Sequence, residues 1–295
     1  MVPATRITAR SPQRPRGHLL DCGHHVGERS GVSSTAEQPR NEQVAGTQTI
    51  ARALSVLAVL RDADDDVGVI ELARALDLRA STAHRILRAL VAAGYVVQNT
   101  QTERYRLGPA AVLLGRAAEH TLGFDQATPL LEQLAEATGE SVNLVVRDGD
   151  EGLVVLRVES KHPLRFIQPV GARIPLYCTS TGKVLLAFAG DLHEEVARLG
   201  ELNRLTPTTI TSPRDLLREL EAIRERGYSV NRGERIPGVY GVAAPVLTAG
   251  GVATTALAVQ GPETRIPDER VPELGEHVIE TARAIADIMP SGYQL

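Results

Sequence analysis

The chain has 295 residues, 43% of them hydrophobic and 3% aromatic, with no tryptophan and a formal net charge of −4. That length accommodates two packed domains with tails, and the absence of any apolar run of about eighteen residues excludes a membrane-spanning helix. The two cysteines, Cys22 and Cys178, exclude a disulfide framework and fit a cytoplasmic protein.

The negative charge is unevenly spread. Residues 1–46 carry +2, residues 47–108 carry +1, and residues 109–295 carry −7. No acid lies between Asp77 and Glu103, while Arg79, Arg85 and Arg88 fall inside that gap. An acidic C-terminal half facing away from a local basic surface suits a nucleic-acid partner better than the net charge suggests.

Residues 1–46 are rich in Pro, Gly, Ser, Gln and Arg and show no apolar periodicity, so they are expected to be a disordered tail. Their arginines are not followed by the apolar stretch of an export signal. Cys22, His24 and His25 cluster there but lack the further ligands of a tetrahedral metal site. No metal or cofactor is predicted.

From Thr47 the pattern becomes helical. Ile50, Ala53, Leu54, Leu57, Ala58 and Leu60 recur at helical spacing, with Thr47 or Thr49 available as a cap. The acidic run Asp62–Asp66 ends that helix. A short helix is predicted from Val69 to Leu76, a turn at Asp77–Leu78–Arg79, and a second helix from Ala80 to Ala93, stopped by Gly94. Tyr95–Val97 and Arg104–Leu107 read as strands around a turn at Asn99–Thr102.

Helix, helix, turn, helix and hairpin is the order of a winged helix-turn-helix over residues 47–108. In its last helix Ala83, Ile86, Leu87, Leu90 and Val91 form the buried stripe, whereas Ser81, Thr82, His84, Arg85 and Arg88 occupy the other face. Hydroxyls at a helix start bind phosphate, and Arg donates two hydrogen bonds to a guanine edge. Thr49, Ser81, Thr82, His84, Arg85, Arg88 and Arg104 are therefore the candidate contacts to double-stranded operator DNA. For Arg85 and Arg104 the alternative is a merely solvated side chain, and for His84 a packing role.

Residues 109–123 read as a linker helix whose apolar surface, with Leu113 and Leu114, is expected to bury against a second subunit. Residues 124–290 alternate helices and strands joined by tight hairpins, an antiparallel α+β domain with helices on one side, followed by a short tail at 291–295. Two places there suit a ligand. Cys178–Lys183 precedes a helix and offers hydroxyls and free N–H groups to a small carboxylate, or is simply a capped helix start. Asn231–Glu234, followed by Gly238 and Gly241, either admits a ligand close to the backbone or is a loop with a bulge. A Walker A loop is excluded because Gly171 lies too far upstream of Lys183 and Val184 follows it. Cys178 with His162 or His193 would make an enzyme, a hydrolase or transferase fused to a DNA-binding domain. No third group stands at a spacing that orients the histidine, and a buried thiol is the preferred reading.

The segments TIARALSVLAVL, STAHRILRALVAAGYV, RYRLGPAAVLLG, PLYCTSTGKVLLAF, GYSVNRGERIPGVYGVAAPVL and LAVQGPETRI, in this order and spacing, resemble the IclR-type bacterial transcriptional regulators from Thr47 to Met289. The resemblance implies a winged helix-turn-helix, a linker helix and a GAF-like effector domain, acting as a homodimer or tetramer, more often as repressor than activator. It implies an effector pocket for a small organic acid at Ser180, Thr181, Asn231, Val239, Gly241, Ala258 and Gln260. The sequence departs from the family at Asn231, commonly an acid there, and at Cys178, commonly a histidine.

Overall fold

Apolar residues every three or four positions from Ile50 to Leu60 roll up into α1 (Thr47–Asp62), the first element of a computed structural model that describes residues 47–289. The predicted tail, with Cys22, His24 and His25, lies outside those residues. By its contacts the chain divides into Met1–Thr49, of which only Thr47–Thr49 are described, and Ile50–Leu295. Because α1 starts at Thr47, Thr49 sits inside its first turn and is not a cap.

α2 (Val69–Ala75) and α3 (Ala80–Ala92) follow, separated by a tight turn in which Asp77 adopts φ 50° and Leu78 N–H donates to Ala73 O. The hairpin β1 (Val96–Gln98) and β2 (Tyr105–Leu107) is antiparallel, and Val67 bridges to Tyr105 on its inner side. Val56, Leu60, Leu72, Ile86, Leu87 and Tyr105 close one small core. Val91, expected in that core, is 37% exposed, whereas its neighbour Leu90 packs against the core.

Gly108 caps α4 (Pro109–Thr121), and Gly123, at φ 76°, joins α4 to α5 (Phe124–Thr138). The C-terminal half is a six-stranded antiparallel sheet, β3 (Ser141–Asp148), β4 (Glu151–Val158), β5 (Arg173–Pro175), β6 (Ser229–Arg232), β7 (Val239–Leu247) and β8 (Ala253–Pro262), in spatial order β5-β4-β3-β8-β7-β6. α6 (Ser180–Ala187), α7 (Leu192–Arg198) and α8 (Pro213–Arg226) lie between β5 and β6 in sequence, and α9 (Val271–Ile288) ends the described chain.

The expectation of helices on one side is corrected. Leu144, Val242, Leu257 and Val259 face α5 and α9, whereas Val145, Ala243, Ala256 and Ala258 face α6 and α8. Both sides of the sheet are covered, which is why β3, β7 and β8 are buried along most of their length instead of at every second position. The alanines on the α6 side let that helix approach closely. The start of α6 also presses on the chain leaving β5, since a Cβ at Gly182 would lie 2.2 Å from Leu176 O. Gly182→Ala is expected to destabilise the protein by about 3 kcal/mol or more, measured as a lowered urea midpoint; an unchanged midpoint would show that α6 has slack.

Candidate functional site

The first candidate surface is the outer face of α3. Ser81, His84, Arg85 and Arg88 are exposed and Thr82 is half-buried, while Ala83, Ile86 and Leu87 are inside. Among the described residues, Arg79, Arg85 and Arg88 have no ion pair, and the sequence reading left Arg79 off the contact set. Arg61, Arg104 and Arg106 are each tied to a carboxylate. Arg79, Arg85 and Arg88 thus leave unpaired positive charge from the N-cap of α3 along its outer face. Thr49 is exposed on the first turn of α1.

Arg104 departs from its expected reach toward DNA. Its guanidinium folds back, Nε donating to Asp66 O at 2.8 Å and Nη2 to Glu71 Oε2 at 2.7 Å. Glu71 also accepts from Gly68 N–H, and these two donors, Gly68 first, hold its carboxyl below the usual range. Arg106 is likewise drawn to Asp66 at 2.5 Å. What the wing leaves exposed is its tip, where Asn99 Oδ1 accepts from Gln101 N and Thr102 N.

Two apolar stripes remain uncovered. Ile50 and Leu54 on α1 are 63% and 61% exposed, and Val112, Leu113 and Leu114 on α4 are all above half exposed. No residue of α4 is buried.

The second candidate is a small cavity between the start of α6 and the sheet, about 20 Å³ in volume. Ser180, Asn231, Val239, Gly241 and Gln260 line it as anticipated. Thr181 and Ala258 do not; both are fully buried, Ala258 beneath α6 in the sheet core. Lining residues that sequence reasoning missed are Phe166, Gln168, Ile174, Arg235, Ile236 and Tyr240. Ile174 and Tyr240 sit on β5 and β7, whereas the other four come from segments without periodicity, 161–172 and 233–238, which no pattern places against α6.

The polar edges of this cavity are mainly donors. Ser180 is 0% exposed, yet its Oγ has no hydrogen-bond partner. Gln260 Oε1 is occupied by Asn143 Nδ2 at 2.6 Å, leaving its amide N–H groups to the cavity side. Arg235 gives one N–H to Gln168 Oε1 at 2.9 Å and keeps its other donors. No acid lines the cavity. A Cβ at position 241 would meet Ser180 Oγ at 3.0 Å, so Gly241 is part of what keeps the space open. Asn231 plays a structural part as well: Nδ2 donates to Cys178 O at 2.6 Å, and Oδ1 accepts from Gly233 N and Glu234 N.

The start of α6 is indeed capped, with Thr179 Oγ1 accepting from Gly182 N at 3.1 Å. Cys178 is fully buried, and burial pushes its thiol up to about 11, so it stays neutral at physiological pH and makes a poor nucleophile. Beneath the cavity lies Lys183, 1% exposed, whose ammonium donates to Glu234 Oε1 at 2.6 Å and Val230 O at 2.8 Å, with Glu219 at 3.4 Å. Burial pushes the Glu234 carboxyl up, and Lys183 opposes that rise.

A winged helix-turn-helix with a basic helix face free of ion pairs among the described residues, on one chain with an α/β/α domain holding a donor-lined cavity, is the architecture of a DNA-binding transcriptional regulator. Sequence profiles of the IclR helix-turn-helix domain and of the bacterial transcriptional regulator IclR C-terminal region match residues 49–100 and 118–287. The chain belongs to the IclR family. The HTH-type transcriptional regulator BhcR of Paracoccus denitrificans is 35% identical over 247 residues, covering 83% of this chain and 88% of BhcR. The HTH-type transcriptional repressor AllR of Escherichia coli K12 is 32% identical over 244 residues, covering 82% and 90%. Among solved structures, an IclR homolog from Microbacterium hydrocarbonoxydans complexed with 4-hydroxybenzoate superposes with a TM-score of 0.66 at 26% identity, covering 80% and 99% of the chains. Among the described residues no helix is long and apolar enough to cross a membrane.

Removing one partner of a buried pair strands the other charge. Lys183→Met or Glu234→Leu alone is expected to cost about 3–5 kcal/mol in urea denaturation. The double variant Lys183→Met/Glu234→Leu is expected to recover most of that loss; strictly additive losses would show that the two groups are not coupled.

Proposed function

We propose that this regulator binds a two-fold operator as a homodimer or tetramer, inserts α3 of each protomer into the major groove, and acts as a repressor relieved or reinforced by a small carboxylic acid. The observation that carries the effector half is the acid-free cavity in which Ser180 Oγ, the Gln260 amide and the Arg235 guanidinium all offer donors. Donors without competing acceptors complement an oxyanion. The repressor reading draws support from the name of AllR.

Size narrows the ligand. Roughly 150 Å³ holds a benzene ring, against about 20 Å³ here. A space of that size holds about one water, so any acid requires the lining side chains to shift, and a short aliphatic acid requires a smaller shift than an aromatic acid such as the one in the Microbacterium complex. The exposed Ile50, Leu54 and Val112–Leu114 stripes support subunit contacts through α1 and α4. The enzymatic alternative finds no support at Cys178, and the cytoplasm is the compartment this role implies.

The test is a gel shift on the DNA upstream of the regulator's own gene, with and without two- to four-carbon acids and 4-hydroxybenzoate. One of the short acids is expected to change operator affinity, by a coupling of about 1–3 kcal/mol; no response to any of them would refute the reading. Arg235→Ala is expected to raise the acid concentration required by about tenfold or more without altering ligand-free DNA binding. Arg85→Ala is expected to weaken specific binding by about 1–3 kcal/mol, whereas an unchanged affinity and salt slope would place Arg85 off the interface.

A further inference from the structure

The effector domain offers more room elsewhere than in the cavity at α6. A groove of about 440 Å³ opens where the C-terminal end of α8, the far end of β7 and the last turns of α9 converge. Its volume lies within the range of small-molecule sites, roughly 300–1,000 Å³. The floor is apolar, built from Phe188, Ala244, Pro245, Leu247 and Ile279. Gly227, the C-cap of α8, keeps one wall low.

Three guanidinium groups, of Arg224, Arg226 and Arg283, stand around this floor against two acids, Glu225 and Asp287. Two of the arginines are partly committed. Arg224 donates to Ala187 O and Gly190 O, and Arg226 to Tyr228 O and to Glu219 at 2.8 Å. Arg283 is exposed and, among the described residues, forms no ion pair or hydrogen bond. Neither rim acid is paired with it.

The groove lies along a sheet edge. β6 pairs with β7 only from Arg232↔Tyr240 to Ser229↔Ala243, so Ala244–Leu247 has no neighbour on that side. Pro245 removes an N–H from this edge, which blunts it against strand addition by a peptide. An apolar bed rimmed by cations, closed to an added strand, matches a small amphipathic anion.

We propose that this groove is a second ligand site, taking a monocarboxylate with an apolar body, its carboxylate on Arg283 and its body on Pro245, Leu247 and Ile279. The occupant touches the last two turns of α9, through Arg283, Ala286 and Asp287. Those turns end against the joint between α4 and α5, where a Cβ at Gly123 would lie 3.1 Å from Ile288 O.

Calorimetric titration of the full-length protein with octanoate and phenylacetate tests the proposal. Binding is expected in the wild type and in Arg235→Ala, at least about tenfold weaker in Arg283→Glu, and lost when Ala286→Trp fills the groove. Circular dichroism and sedimentation establish that each variant is folded and keeps its oligomeric state. No binding by either acid overturns the proposal. Binding that disappears in Arg235→Ala but survives Arg283→Glu also overturns it, by assigning the ligand to the cavity at α6. A changed oligomeric state in Arg283→Glu without ligand binding to the wild type makes the groove a subunit contact instead. Because the two sites share no lining residue, failure here leaves the short-acid reading of the first cavity standing.

Discussion

A single buried ammonium organises the effector domain. Lys183 leaves α6 with no route to water, so its charge is stabilised only by the protein atoms it meets. Those atoms belong to different elements: Val230 O on β6, Glu234 in the following loop and Glu219 on α8. Satisfying one charge therefore draws α6, α8, β6 and the loop to Gly238 into one arrangement. β6 carries Asn231 to the cavity and the same loop carries Arg235. Where α6 starts sets where Ser180 Oγ points, and Gly182, by omitting a Cβ, lets that start pack against the Leu176 backbone.

How much of this is legible in the sequence depends on whether a feature is local. The winged helix-turn-helix is local, since helix periods, the Asp77 turn and the hairpin signals all lie within a few residues of what they specify. α3 accordingly begins at the predicted Ala80, and the loop from Asn99 joins the two predicted strands. Short edge elements fared worse. β5, α7 and β6 are three, seven and four residues long, too short to show a period. The helix layers were misjudged because an antiparallel sheet is commonly solvated on one face, whereas here hydrophobic residues occupy consecutive positions.

The cavity divides in the same way. Ser180, Asn231, Val239, Gly241 and Gln260 lie on or beside regular elements and were located through family resemblance. Arg235 and Gln168 meet across 67 positions of chain, in segments whose conformation follows from what they pack on. Arg104 shows the converse limit. Its position in the wing suggested an outward role, but Glu71, placed beside Gly68 by the start of α2, competes for its charge at 2.7 Å. A side chain's role depends on its nearest opposite charge, and 33 positions separate these two.

The asparagine at position 231 has an electrostatic rationale. Its amide bonds in two directions at once, to Cys178 O as donor and from Gly233 N and Glu234 N as acceptor. An aspartate would keep the second set and lose the first, leaving Cys178 O facing a carboxylate. It would also place a negative charge next to Glu234, which is already desolvated and has Oε2 unpartnered. Two buried carboxylates sharing one ammonium would drive one of them to take up a proton. With asparagine there, Lys183 and Glu234 balance each other, and Arg235 is the only ionised side chain among the cavity's lining residues. A cavity built around a neutral amide thus attracts an anion more strongly than one containing an acid at that position.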